Sequence, residues 1–408
     1  MNNFRHLFPI FKQNKNLVYL DSAATSLKPQ SVIEAISDCY QKYSVNFHSK
    51  SNNYLFKEVW KTIRETRQLV AQKINAQPEE ISFVPSATYA FNILALSCQK
   101  FLEAGDKIFL THLEHSSNLC PWQAIAQEKG LEVDFLPLNE NLIIDVSQLP
   151  NYIDKKTKIV SFFHVSNSLG TINPVAEITR QIKQINPNCL VILDACQSIT
   201  YTSLDVREWN IDALVFSGHK VYGPTGIGVL WLKKELAEKF PHVLWGGGKM
   251  IGPLTEITNQ DLFSPNKFEV GTLPLAQIFG LGASFEFLNK INPLDISQHH
   301  KKLYSYTLPK LKKIKNVFIH NQNLLVTTNI IIFNLSGYHA HDVVDYCGKN
   351  NILLRGGDFC CPYLSKVIGT NAALRISFGL YNNYADIDKL INCLCEIKEK
   401  PSSDLLAF

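Results

Sequence analysis

LVILDACQSITYTSLDVREWNIDALVFSGHKVYGPTGIG occupies residues 190–228. It holds two short, largely apolar runs, Leu190–Asp194 and Ala213–Ser217. Such runs suit strands buried on both faces of a mostly parallel sheet. Each run ends in polar chemistry. Asp194-Ala195-Cys196-Gln197 follows Leu193 in the first, and Ser217-Gly218-His219-Lys220 with a glycine-rich turn follows Phe216 in the second. Open α/β sheets bind ligands outside the carboxyl ends of their strands. Function is therefore expected at these two strand ends.

The same texture extends on both sides. Ile81–Val84, Asp106–Thr111, Leu131–Pro137 and Lys158–His164 read as strands. Ala90–Cys98, Pro121–Lys129 and Ala176–Ile185 read as helices between them, with Gly130 as a stop. Strand–helix alternation predicts an α/β domain over roughly residues 20–265. After Gly271 the pattern changes. A long apolar helix, Gln277–Asn289, precedes a lysine-rich helix that Pro309 should kink or end. Strands at Val317–Ile319 and Ile330–Leu335 and a helix at Tyr384–Lys398 complete a smaller α+β part.

Composition narrows the class. The chain has 408 residues, which suggests two domains at roughly 100–200 residues each. A hydrophobic content of 46% with only 19% charged residues excludes disorder. A net charge of +4 is too small for a dedicated nucleic-acid binder. No apolar run approaches the roughly 18 residues that span a bilayer. The N-terminus lacks the h-region and cleavage site of a secretory signal, so a cytoplasmic location is expected. The ten cysteines contain no C-x-x-C pair, so no metal site is expected.

At the strand ends, Asp194 and Lys220 share one sheet edge, where buried charge is costly unless used. One reading is a structural ion pair. The other is pyridoxal phosphate, which needs a lysine for a Schiff base and an acid for its ring nitrogen. Ser86-Ala87-Thr88 before a helix would cradle the phosphate, or serve only as an ordinary N-cap. Ser217 and His219 are further donors. Gly223-x-x-Gly226-x-Gly228 and Gly246-Gly247-Gly248-Lys249 fit neither the dinucleotide nor the P-loop spacing.

Ser217-Gly218-His219-Lys220-x-Tyr222-Gly223-Pro224-Thr225-Gly226 resembles the lysine segment of class V (NifS-like) pyridoxal-phosphate enzymes. Within them it is similar to the group II (SufS/CsdA-type) cysteine desulfurases and selenocysteine lyases. Tyr19–Ala24, Glu114-His115 with Asn118, Pro121 and Trp122, His164–Thr171, and Phe268-Glu269-x-Gly271-Thr272 carry the likeness nearly end to end. The resemblance implies the fold-type I transferase architecture. That is a large domain (19–283) with a mostly parallel seven-stranded sheet, and a smaller α+β domain built from 1–18 and 284–408.

The same resemblance implies roles. Lys220 would be the Schiff-base lysine and proton shuttle, Asp194 the partner of the ring nitrogen, and Gln197 a donor to the phenolic oxygen. His115 would stack on the ring. Ala87, Thr88, Ser217, His219 and a neighbouring subunit's Thr272 would hold the phosphate, so a homodimer is implied. Asn167 and Arg375 would bind the substrate carboxylate, for which arginine's planar fork is suited. Read alone, Arg375 could equally be an interdomain ion pair.

Arg355-Gly356-Gly357-Asp358-Phe359-Cys360-Cys361 takes the place of the family's Arg-x-Gly-His-His-Cys-Ala loop. Cys360 aligns with the nucleophile, and Cys361 is an alternate nucleophile or a packing thiol. Cys196 stands where the family carries alanine and should face the ring. The implied reaction converts L-cysteine to L-alanine and an enzyme-bound persulfide, for delivery to a sulfur-acceptor protein as in iron–sulfur cluster assembly. The alternatives are L-selenocysteine cleavage, another β-lyase, an aminotransferase or epimerase, or a non-catalytic scaffold of the same fold.

Overall fold

A computed structural model describes residues 4–46, 52–247, 267–322, 324 and 329–398. Residues 47–49 of Asn46-Phe47-His48-Ser49, which resembles the family's Asn-x-His-Arg segment only loosely, together with Gly248, Lys249 and the expected domain limit near 265, lie outside the described residues.

Strand β1 (Val18–Tyr19) comes first in the chain. Then follow β2 (Ile81–Val84), β3 (Lys107–Leu110), β4 (Glu132–Phe135), β5 (Thr157–Phe163), β6 (Leu190–Asp194), β7 (Ala213–Ser217) and β8 (Gly228–Leu232). β2 to β8 form a seven-stranded sheet in the order β2-β8-β7-β6-β5-β3-β4. All its pairings are parallel except those of β8, which runs against both β2 and β7. The carboxyl ends of β2, β5, β6 and β7 therefore share one edge, where β8 begins. Every residue of β7 and β8 is buried, as an all-apolar strand covered on both faces requires.

The helices cover that sheet. Cys120–Lys129 ends at Gly130, whose φ of 69° supplies the left-handed cap. Leu275–Asn289 is apolar all round because it is sandwiched between helices Gln30–Lys42 and Tyr54–Lys73. Gly280 and Gly282 allow that approach, since a Cβ at Gly280 would stand 2.8 Å from the Ile36 side chain.

The second sheet is β12 (Arg355–Gly357), β13 (Ala373–Ser377), β10 (Ile330–Leu335) and β9 (Val317–Ile319), all antiparallel. β1 pairs in parallel with β11 (Ile352–Leu353), and Asp21 bridges to Ser377. The N-terminal segment feeds two cores. Phe8 and Phe11 pack into the larger one, and Val18 and Leu20 into that of the second sheet.

Helix Pro293–Lys313 continues past Pro309, so of the two expected outcomes, a kink or an end, the helix does not end there. The carbonyl freed by a proline is that of the residue four earlier, here Ser305. Ser305 and Pro309 are both exposed, so water can satisfy it. Among the described residues, no helix is long and apolar enough to cross a membrane.

Candidate active site

The shared sheet edge opens into a cavity of ≈ 280 Å³. Asp194 closes β6 at its wall and is buried; its Oδ1 accepts the Cys196 N–H at 2.8 Å. β7 ends at Ser217, and a single 3₁₀ turn, Gly218–Lys220, carries Lys220 to the cavity. The Lys220 ammonium has no hydrogen-bond or ion-pair partner among the described residues. An unpaired cation opposite a buried carboxylate is poised for a ligand.

The phosphate-type cradle comes from β2. Ser86 caps helix Ala87–Cys98, its Oγ accepting the Tyr89 N–H. The helix begins three residues before the expected Ala90, so Ala87 and Thr88 form its first turn. Ser217 Oγ accepts the Ala87 N–H at 2.9 Å, and Thr88 Oγ1 lies 2.6 Å from Ser117 Oγ. Gly228 makes the approach possible. A Cβ there would sit 2.8 Å from the Ser86 carbonyl carbon and 2.9 Å from the Phe216 oxygen. A helix N-terminus facing a cavity favours an anion.

Two histidines face the same space. Burial, helped by the Lys220 charge, pushes His115 down to about 4. Burial with Lys220 and Lys28 does the same to His219, also to about 4. Both rings are therefore neutral near pH 7, which suits stacking and hydrogen bonding. His115 Nδ1 accepts the Ser117 N–H, which fixes the ring. Beneath it, Glu114 accepts from the Thr111 hydroxyl (2.7 Å), the Asn118 amide (2.8 Å) and the Phe163 N–H (3.2 Å). Trp122 Nε1 donates in turn to Asn118. This buried network ties the Glu114–Trp122 segment to strand β5, where Ser161 also donates to Asn118.

The opposite wall comes from the second sheet. Arg375, on β13, is buried, and its Nη atoms donate to the Asn167 carbonyl (2.8 Å) and Asp21 Oδ1 (2.7 Å). Its guanidinium carbon lies 4.9 Å from the Phe359 ring centroid. Asn167 Nδ2 donates to the Phe359 carbonyl at 2.8 Å. Cys360 is exposed on the cavity wall, whereas Cys361 is fully buried with its thiol 3.6 Å from the His112 carbonyl. Burial pushes the Cys361 thiol up to about 12. Cys196 also lines the cavity, and burial raises its thiol strongly.

Of the sequence candidates, Lys220, Asp194, His115, Ala87, Thr88, Ser217, His219, Asn167, Arg375 and Cys360 line this one cavity. Three others do not line it: Cys361, buried as described above, Gln197 and Thr272. Gln197 is buried and donates to the Ala23 carbonyl at 2.8 Å, and Thr272 is exposed and is not among the residues lining the cavity. Sequence reasoning missed Ser117, Arg355 and Phe359 as lining residues, and Ala23 and Ala24 opposite them. Only their position inside quoted motif segments could have signalled them.

The comparisons with known proteins agree with this geometry. The aminotransferase class-V family model matches residues 18–390. A probable cysteine desulfurase of Ureaplasma parvum is 38% identical over 400 residues, covering 98% of each chain. The solved apo structure of a cysteine desulfurase from Thermococcus onnurineus NA1 superposes with a TM-score of 0.90 at 32% identity, covering 97% of each chain. The cysteine desulfurase CsdA of Escherichia coli, in an S-sulfonic acid form, gives 0.89 at 31% identity, again over 97% of each chain. A family match that runs through both sheets and their shared cavity, with whole-chain relatives behind it, decides the assignment: this chain belongs to the aminotransferase class-V family.

Proposed function

We propose that the chain is a pyridoxal-phosphate-dependent cysteine desulfurase, converting L-cysteine to L-alanine and retaining the sulfur as a persulfide on Cys360. One observation carries this reading: Lys220, without a partner among the described residues, and an exposed Cys360 stand on the walls of one ≈ 280 Å³ cavity. The residues present fit the cofactor. The Asp194 carboxylate would pair with a ring nitrogen, and neutral His115 offers a flat face. Thr88, Ser217, His219 and the first turn of helix Ala87–Cys98 offer donors to a phosphate, with Thr272 of the partner subunit. Gln197 steadies this wall through Ala23.

When bound, pyridoxal phosphate supplies an electron sink for charge developing at the substrate Cα. Lys220 Nζ takes the Cα proton and returns it. Arg375 and Asn167 orient the substrate carboxylate. The Cys360 thiolate attacks the substrate sulfur. An S–S bond forms as the Cβ–S bond breaks, and the electron pair left on carbon takes up a proton. L-Cysteine plus the Cys360 thiol thus become L-alanine plus the Cys360 persulfide.

The large domain (19–283) provides the cofactor groups, and the smaller one (1–18 and 284–408) provides Arg375 and the cysteine loop. The enzyme works as a cytoplasmic homodimer that hands sulfur to an acceptor protein. Thr272 is exposed and does not line its own chain's cavity, which supports the dimer. A second reading, L-selenocysteine cleavage, is favoured by Asp358 and Phe359 standing in place of the two histidines. Mass spectrometry after incubation with L-cysteine should find an adduct of about 32 Da, one sulfur, on Cys360. Full-rate alanine formation by Cys360→Ala would overturn the persulfide mechanism.

A further inference from the structure

Residues 358–361 adopt an unfavourable turn. Phe359 has a φ of 59° and Cys360 one of 56°. The Cys361 N–H donates to the Asp358 carbonyl at 3.0 Å. Both central residues are thus left-handed, the pattern of a type I′ turn, which selects Asn, Asp and Gly. An aromatic residue and a cysteine side by side in this region are sterically disfavoured. Such a conformation persists only where its surroundings over-determine it.

The surroundings do so at each peptide. Asp358 Oδ1 accepts the Cys360 N–H at 3.0 Å. Asn167 holds the Phe359 carbonyl, and the Ser116 N–H and hydroxyl hold the Cys360 carbonyl at 2.8 and 3.1 Å. Side chains then alternate. Phe359 and Cys361 are buried in a small cluster with Leu113, Phe163 and Leu364, while Cys360 is exposed. Three of these four bonds reach across to other segments. Only Asp358 locks the turn from within it.

We propose that Asp358 is the positioning residue for sulfur transfer: it fixes the left-handed turn that presents Cys360 to the cavity and folds Cys361 under as a buried anchor. This rests on the desulfurase reading above. It assigns a task to a carboxylate whose charge would by itself oppose a neighbouring thiolate. It also makes Cys361 a packing residue, outside the path of the sulfur.

The test compares Asp358→Ala with Asp358→Asn in the full-length holoenzyme. Asparagine keeps the accepting oxygen and alanine removes it. Because misplacement by about 1 Å can cost 10²-fold, Asp358→Ala should lower kcat for alanine formation by about 10- to 100-fold with KM changed less than about twofold; Asp358→Asn should stay within about threefold of wild type. Iodoacetamide labelling, mapped by mass spectrometry at residues 360 and 361 without turnover, should mark Cys360 and spare Cys361 in wild type and Asp358→Asn, and mark both in Asp358→Ala; the exposed Cys120 and Cys395 serve as labelling controls. Wild-type rate and labelling in Asp358→Ala would overturn the proposal. So would an Asp358→Asn variant as slow as Asp358→Ala, since the charge would then be what matters. If wild type forms no persulfide, the desulfurase reading fails, while the labelling pattern still reports on the turn.

Discussion

Glu269 sits in the Phe268-Glu269-x-Gly271-Thr272 segment, and its neutralisation should be among the most damaging single changes in this chain. Its carboxylate meets Arg67 through two parallel bonds, Nη1–Oε1 at 2.8 Å and Nη2–Oε2 at 3.0 Å. Oε1 also accepts the Phe83 N–H at 2.7 Å. Arg67 and Glu269 are 8% and 7% exposed, so neither can turn to water. Arg67 additionally donates to the Ile81 carbonyl and lies over the Phe83 ring. Glu269→Gln keeps the shape and leaves a buried guanidinium without its counter-charge. Breaking a buried pair in this way costs about 3–5 kcal/mol. Because the pair joins helix Tyr54–Lys73 and strand β2 to the segment before Gly271, the cost should appear as a lower urea midpoint, followed by circular dichroism. Asp38→Asn, at the exposed Lys42–Asp38 pair, is the control and should leave the midpoint unchanged. A Glu269→Gln loss under about 1 kcal/mol would refute the argument that burial makes this pair indispensable.

Two further predictions follow from the site. Gly228→Ala should cost about 1–3 kcal/mol, since its Cβ meets backbone on both sides, and should weaken pyridoxal-phosphate retention in a fluorescence titration. Wild-type stability and retention would contradict it. Acid should also destabilise the fold. Burial holds His164 at about 4 and His300 at about 3, and both are near 6.5 when unfolded. Their contribution is full above about 6.5 and is lost as pH falls toward the folded values, at up to about 1.4 kcal/mol per pH unit for each. His115 and His219 act in the same direction. Glu114, pushed by burial up to about 8, acts in the opposite direction and offsets one of them. The urea midpoint should therefore be lower at pH 5 than at pH 7, and equal midpoints would refute it.

The strand ends were the most legible part of the chain. β6 and β7 were read to the residue because an apolar run buried on both faces stops where polar chemistry starts. A helix end was legible where glycine marks it, as at Gly130, but the helix capped by Ser86 begins at Ala87, three residues before the expected Ala90. At Pro309 the sequence left a kink or an end open, and the helix continues because the freed Ser305 carbonyl faces water. Gln197 was correctly placed on the segment after β6. Its amide, however, reaches the Ala23 carbonyl, 174 positions away in the chain, and no local pattern signals that.

The sequence by itself determined the class of fold and the order of the chemistry. Periodicity and burial set the sheet, and the strand ends set Asp194, Ser217 and Lys220. Tertiary structure decided which groups remain available. Arg375 is bonded to Asp21 and the Asn167 carbonyl because β1, β5 and β13 converge there. Of two adjacent cysteines that the sequence left open, Cys360 is exposed and Cys361 buried, because a left-handed turn alternates its side chains between cavity and core. Accessibility is a property of packing between distant segments, and only the folded chain brings those segments together.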